Sequence, residues 1–221
     1  MACGDEASET AATGDPSAAV PTPSAGADTL DPRVTAADEA RILGSETAPL
    51  WMIEISDFEC PFCRNWHVET FPDLKREYID TGKIRFAYIN LPLRQHRHAR
   101  PAAEHAMCAG AQGRFFEYAA EVFATQEEWT PMEDATELFR GLSARAGVDQ
   151  AALTACVESG VMRPLVEADY QRALDSGAQS TPTFILGDQR LQGSQNMERL
   201  RAAIDAALAA APAAAPASAT P

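Results

Sequence analysis

An α/β domain is the fold class this sequence predicts: a β-α-β unit, an inserted block of helices, and a closing β-β-α unit. Three observations carry it. Leu50 to Ser56 (LWMIEIS) and Lys83 to Ile89 (KIRFAYI) are strand-like runs separated by a helical stretch, and that order gives a parallel pair. Residues 98–176 keep a helical pattern. Thr183 to Leu186 (TFIL) and the start of its partner, Arg190-Leu191, then flank the turn Gly187-Asp188.

Each element has a local reason. Leu50 to Ser56 is mostly apolar and bounded by Pro49 and Asp57, as suits a strand buried on both faces. Pro61 to about Asp80 has helical spacing, with Trp66, Leu74, Tyr78 and Ile79 as core contacts. Pro72 interrupts that helix and should kink or split it, and Gly82 fits its end. Lys83 to Ile89 alternates with period two. Thr130-Pro131-Met132-Glu133 has the pattern of a capping box with proline at the first helical position. Gly147 ends that helix and Asp149 caps the next, which runs to about Ser159. Another helix spans about Met162 to Asp175, ended by Gly177, and a last one runs from near Asn196 to about Ala209.

The termini differ from the rest. The chain has 221 residues, with 18 Lys and Arg against 32 Asp and Glu, a formal charge of −14. The first 32 residues or so are rich in small residues and acids, with six carboxylates and almost no large apolar residue before Leu30. Such a segment buries too little surface to offset its ordering entropy. The organisation expected is therefore an acidic disordered tether over 1–33, a first core part over 34–95, a helical insertion over 96–176, a second core part over 177–210, and a disordered Ala/Pro tail over 211–221. The acidic balance argues against nucleic acid as a partner, because no basic stripe is available to release counterions. No apolar run is long enough to span a membrane.

Five cysteines are present, and Cys60-Pro61-Phe62-Cys63 is the only close pair. It falls where a strand leads into a helix. A helix N-terminus presents unpaired N–H groups and a positive partial charge, both of which stabilise a thiolate. An ordinary cysteine is only about 3% thiolate at pH 7. Cys60 at the helix start is the thiol so placed, with Cys63 one turn on. Two other chemistries fit a lone CxxC: half a zinc site, with His67 and one of His96, His98 or His105, and an inert structural disulfide. The helix-start position favours reactivity, and metal is not expected.

The run Ser56-Asp57-Phe58-Glu59-Cys60-Pro61-Phe62-Cys63 resembles the active-site stretch of DsbA-like thiol:disulfide oxidoreductases, a thioredoxin-fold family. Leu91-Pro92-Leu93, His96-Arg97-His98-Ala99, Cys108-Ala109 and the stretch from Gln112 to Tyr118 are further matches, and Thr181-Pro182-Thr183-Phe184 resembles the family's cis-proline loop. The resemblance covers about 46–209 and implies a thioredoxin-like core with an all-helical insertion. It makes Cys60 the attacking nucleophile, Cys63 the resolving thiol, Cys60–Cys63 the redox-active disulfide, and Thr181 and Pro182 the loop packed against it. It places Glu54 as a buried acid beneath the dithiol, able to exchange a proton with the resolving thiol. It also pairs Cys108 with Cys156 in a structural disulfide, which implies an oxidising compartment. The family's strongest oxidants carry histidine where this chain has Phe62, so a less oxidising couple is expected.

Met1-Ala2-Cys3-Gly4 before an acidic segment resembles the mature start of a bacterial lipoprotein, with Cys3 as the lipid anchor. The alternative is a cysteine without function in a flexible segment. The four histidines are expected on the surface or packing helices, and Trp51, Trp66 and Trp129 in the core or lining a groove. The expected function is extracytoplasmic disulfide exchange, most readily as an oxidase, on cysteine-containing protein substrates. The dithiol does this without a cofactor. A redox partner recycles it, a membrane protein being one candidate. No dimerisation segment is visible, so a monomer is expected. A reductase of the same fold, or a thioredoxin-fold chaperone or metal-delivery module without turnover, are the alternatives.

Overall fold

The computed structural model describes residues 31–210. The tether over 1–30, with Cys3, and the tail over 211–221 lie outside the described residues. Two elements precede the first predicted strand. Helix α1 spans Pro32–Ala40, and the Asp31 carboxylate caps it by accepting from Arg33 N. The expected tether thus ends before residue 33. Strand β1 (Ile42–Leu43) follows. Helix α1 buries only Ala37, which packs on the backbone of Gly110. A helix docked through a small–small contact leaves no apolar stripe in its sequence.

Strands β2 (Leu50–Ser56) and β3 (Ile84–Asn90) flank helices α2 (Pro61–Glu69) and α3 (Phe71–Leu74) and a wide turn over Lys75–Ile79. The break at Thr70 is the split expected from Pro72. In β2 the expectation of two buried faces fails at Trp51, which is 42% exposed beneath the Arg85 guanidinium. Trp51 is therefore not a core residue, whereas Trp66 and Trp129 are fully buried.

The inserted helices are α4 (Ala99–Gly110), α5 (Phe115–Ala124), α6 (Gln126–Trp129), α7 (Thr136–Gly141), α8 (Ser143–Ala146) and α9 (Gln150–Ser159). No helix starts at Thr130. Its N–H and its hydroxyl both donate to the Gln126 carbonyl and close α6, a back-bond open to threonine wherever a helix precedes it. The next helix begins at Thr136, whose N–H is held by Asp134. Gly147 ends α8 with φ at 67°, and Asp149 caps α9 by accepting from Ala152 N. Cys108 on α4 and Cys156 on α9 are bonded.

Helix α10 (Arg163–Asp175) returns to the sheet, followed by β4 (Thr183–Leu186), β5 (Gln189–Gln192) and α11 (Met197–Ala210). The five-stranded sheet has the order β1-β3-β2-β4-β5, with β2 and β3 parallel and the other neighbours antiparallel. Glu54 lies between Tyr88 and Phe184 in register. One apolar core fills the space between the sheet and α2, α3 and α11, and a second lies among the inserted helices. Buried Asp169 on α10 accepts from Asn90 N and Nδ2 at 3.2 and 2.8 Å and pairs with the Arg41 guanidinium. That network fixes the insertion against the C-terminal end of β3.

Candidate active site

Strand β2 ends at Ser56, and the loop Asp57-Phe58-Glu59 delivers the chain to α2 with Cys60 as its N-cap residue and Pro61 as the first helical residue. The loop is held from three sides. The Asp57 carboxylate accepts from Glu59 N at 2.7 Å, from Leu93 N at 2.8 Å, and pairs with His96 Nδ1 at 2.8 Å. Glu59 accepts from His98 N at 2.6 Å. From α6, buried Gln126 donates through Nε2 to the carbonyls of Phe58 and Cys60, at 2.6 and 3.0 Å. Apart from the Asp57–Glu59 contact within the loop, these ties arrive from segments distant in sequence.

Both thiols are free and buried. The Cys60 thiol donates to the Thr181 carbonyl at 3.4 Å, so the loop over 181–182 lies directly against it. The Thr181–Pro182 peptide is cis, and Gly193 N donates to the Pro182 carbonyl at 2.8 Å. Phe62, one residue past the proline, is 62% exposed.

The two thiols have opposite tendencies. Cys60 is held down to about 6, first by the hydrogen bond from the Cys63 thiol, then by the Thr181 side chain and the N–H groups of Cys63 and Phe62, against the opposing effect of burial. Cys63 is pushed up by burial, by its hydrogen bond to Cys60 and by the charges of Cys60 and Glu54. At neutral pH the reduced site therefore carries its charge on Cys60 and its proton on Cys63.

Beneath the dithiol lies a set of polar groups on β2 and β3. Glu54 is fully buried. Its two oxygens lie 3.1 and 2.9 Å from His67 Nε2. The Tyr88 hydroxyl and Ser56 Oγ are buried beside it, and burial pushes the Tyr88 phenol up.

The structure brings Cys60, Cys63, Glu54, Pro61, Phe62, Thr181 and Pro182 to one end of the sheet, and bonds Cys108 to Cys156 between α4 and α9, in the same apolar cluster on which the dithiol packs. Two histidines expected on surfaces or between helices instead pair with carboxylates of the site, His67 with Glu54 and His96 with Asp57. His98 Nε2 pairs with the Met132 carbonyl and His105 Nδ1 with the Pro101 carbonyl. The only local signal for His67 is its place one helical turn after Cys63. Gln126 has no local signal, because its two acceptors come from another element.

A family model described as thioredoxin matches residues 36–206. The chain is 29% identical over 168 residues to a probable disulfide bond formation protein D of Bacillus anthracis, covering 74% of this chain and 76% of that one. It is 31% identical over 168 residues to a Na(+)/H(+) antiporter NhaA 1 of Salinispora arenicola, covering 76% of this chain. It spans only 24% of that antiporter's length. Among solved structures, oxidised BdbD from Bacillus subtilis superposes with a TM-score of 0.69 at 21% identity, over 76% of this chain and 92% of that one; the likeness concerns the fold. The α-DsbA1 of Wolbachia pipientis superposes with a TM-score of 0.68 at 25% identity, over 77% and 92%.

Proposed function

The chain belongs to the thioredoxin family, and on that premise we propose that it is a DsbA-like thiol:disulfide oxidoreductase that oxidises cysteine pairs in extracytoplasmic proteins. The observation that carries this reading is the position of Cys60. It is the N-cap residue of α2, its sulfur lies 3.4 Å from the Thr181 carbonyl, and Cys63, whose thiol burial pushes up, lies one turn on.

The chemistry follows from that arrangement. In the oxidised protein, a substrate thiolate attacks Cys60 Sγ. The Cys60–Cys63 bond breaks, a substrate–Cys60 disulfide forms, and Cys63 leaves with the electron pair and takes up a proton. The substrate's second thiolate then attacks the substrate sulfur of the mixed disulfide and displaces Cys60 as a thiolate. The substrate loses two electrons and the dithiol gains them. A thiolate stable near pH 6 is a good leaving group, so the second step is favoured. Glu54, beneath Cys63, supplies the proton its thiolate takes. The Thr181 backbone lies beside the sulfur and can pair with an extended substrate strand, and the Phe62 ring offers an apolar contact. A redox partner must reoxidise the dithiol for turnover, and Cys3 would carry the lipid of a membrane-anchored form.

A trapping experiment tests the assignment. The Cys63→Ser variant, activated at Cys60 and mixed with a reduced, unfolded two-cysteine protein, should accumulate a mixed disulfide on a non-reducing gel that reductant dissolves. Cys60→Ser should accumulate none. Trapping through Cys63 in place of Cys60, or no trapping by either, would overturn the proposal.

A further inference from the structure

We propose that His67 is the link by which the buried Glu54 exchanges its proton with solvent, through a cavity on the side of α2 that faces α5. His67 does not touch the sulfurs; it acts through Glu54 and is a positioning residue for the proton. The inference rests on the reading of Glu54 as proton donor to Cys63.

Four observations support it. A carboxyl group as deeply buried as Glu54 cannot lose and regain a proton without a carrier, because water has no access to it. Both its oxygens face one atom, Nε2 of His67, at 3.1 and 2.9 Å. Among the described residues, the other ring nitrogen, Nδ1, makes no hydrogen bond. The imidazole is also one wall of a cavity of about 330 Å³, lined further by Phe71, Lys75, Phe116, Ala120 and Phe123. Ala120 is exposed at its edge.

The ring is held in place. It stacks on Phe123 with centroids 4.3 Å apart and 17° between planes, and it lies against Phe71 at 5.0 Å. The titratable and charged groups around it are few. Glu54 faces it from β2, Tyr88 from β3 with ring centroids 5.9 Å apart, Lys75 from the cavity wall, and Cys63 precedes it on its own helix. From α5, Phe123 stacks on it, and Phe116 and Ala120 line the same cavity. An imidazole is suited to the task because one nitrogen can release a proton while the other accepts one.

The proton balance is closed. When Cys63 leaves as a thiolate it takes the proton of Glu54. Nε2 of His67 returns a proton to the carboxylate, Nδ1 takes one from solvent water reaching the cavity, and a proton released by the substrate's thiols neutralises the hydroxide left. In the reverse reaction each transfer runs backward. The substrate approaches from the Thr181 side, so proton traffic and substrate use different faces of α2. A bound substrate that seals the dithiol would leave the proton route open.

The test measures single-turnover exchange of the oxidised protein with a reduced dithiol peptide between pH 5 and 9. His67→Gln keeps a donor toward Glu54 but cannot relay a proton. It should exchange about tenfold to a hundredfold more slowly than wild type, at or below the usual contribution of a positioned proton-transfer group. Its exchange rate should also depend on pH differently from wild type, while Cys60 alkylation in the reduced protein keeps its wild-type rate. His67→Ala should be slow in the same way and recover when imidazole is added. Ala120→Trp, which covers the cavity edge, should abolish that recovery. Should His67→Ala fail to fold, His67→Gln decides alone. Exchange by His67→Gln within about twofold of wild type at every pH would overturn the relay, as would a slow His67→Ala that imidazole does not restore while His67→Gln behaves as wild type. If the wild-type protein itself does not exchange disulfides, the oxidoreductase reading falls; if it exchanges and His67→Gln matches it, only the relay falls.

Discussion

His96 Nδ1 lies 2.8 Å from Oδ2 of Asp57, the carboxylate three residues before the reactive cysteine. The pair places an imidazole at the mouth of the site from the loop after β3. Its hydrogen bond to Asp57 holds the His96 ring above its ordinary range, and the charge on Cys60 acts in the same direction. The imidazole absent at Phe62 thus has a counterpart on another element, bonded to the active-site loop.

Replacing His96 with alanine should raise the Cys60 pKa, because the attraction by which the Cys60 charge favours the protonated ring is reciprocal. The shift should be less than about one unit, since the ring is partly open to solvent. Ultraviolet thiolate absorbance against pH reports it. An unchanged or lowered Cys60 pKa would remove His96 from the site's electrostatics.

The pH dependence of stability follows from the two thiols. Cys60 is lowered in the folded, reduced protein from 9.0 to about 6. Its contribution to stability is therefore complete above the unfolded value and is lost as pH falls through about 6. Cys63 is raised, so its contribution is complete below the unfolded value and is lost above it. Neither group titrates when oxidised. The stability of reduced minus oxidised protein should thus increase from pH 6 toward 9 and decline beyond. Denaturant unfolding of both forms across that range checks it; a difference flat between pH 6 and 9 would contradict the assignment.

Gln126 holds the carbonyls of Phe58 and Cys60. Gln126→Leu takes the partner from the buried Phe58 carbonyl and leaves the Cys60 carbonyl with Arg64 N alone, which should cost about 1–3 kcal/mol. Because it also frees the active-site loop, exchange should slow while the Cys108–Cys156 bond stays intact. A variant of wild-type stability and rate would show that the loop holds itself.

The disulfide between Cys108 and Cys156 closes a separation of 48 residues within the inserted helices. Cys108→Ala/Cys156→Ala should lose up to about 4 kcal/mol by the chain-entropy relation. Cys60 reactivity should stay nearly unchanged, since the pair packs in the helical core. A thermal melt beside an alkylation time course separates the two effects.

What could be read along the chain was what the chain signals locally. An apolar run marked β2 and a period-two run marked β3, glycine and proline marked the breaks at Pro72 and Gly147, and the CxxC at a strand-to-helix junction marked Cys60. Helix α1 left no trace because alanine against glycine makes its contact. The false capping box at Thr130 arose because the same side chain can close a preceding helix as readily as open a new one. The partners of the site were hidden for one common reason: Glu54 and His67, Asp57 and His96, and Gln126 and Cys60 are joined only by tertiary folding. No spacing rule connects a carboxylate on a strand to an imidazole on the helix that follows it.

The reduction potential of the Cys60–Cys63 couple, measured in glutathione buffers at pH 7, bears most directly on whether the protein is an oxidant. A thiolate held near 6 stabilises the reduced form more than in thioredoxin and less than in the strongest oxidants, whose cysteines ionise near 3.5. The potential should therefore fall between about −270 and −120 mV, near −200 mV. A value at or below about −270 mV would make the protein a reductase and contradict the account.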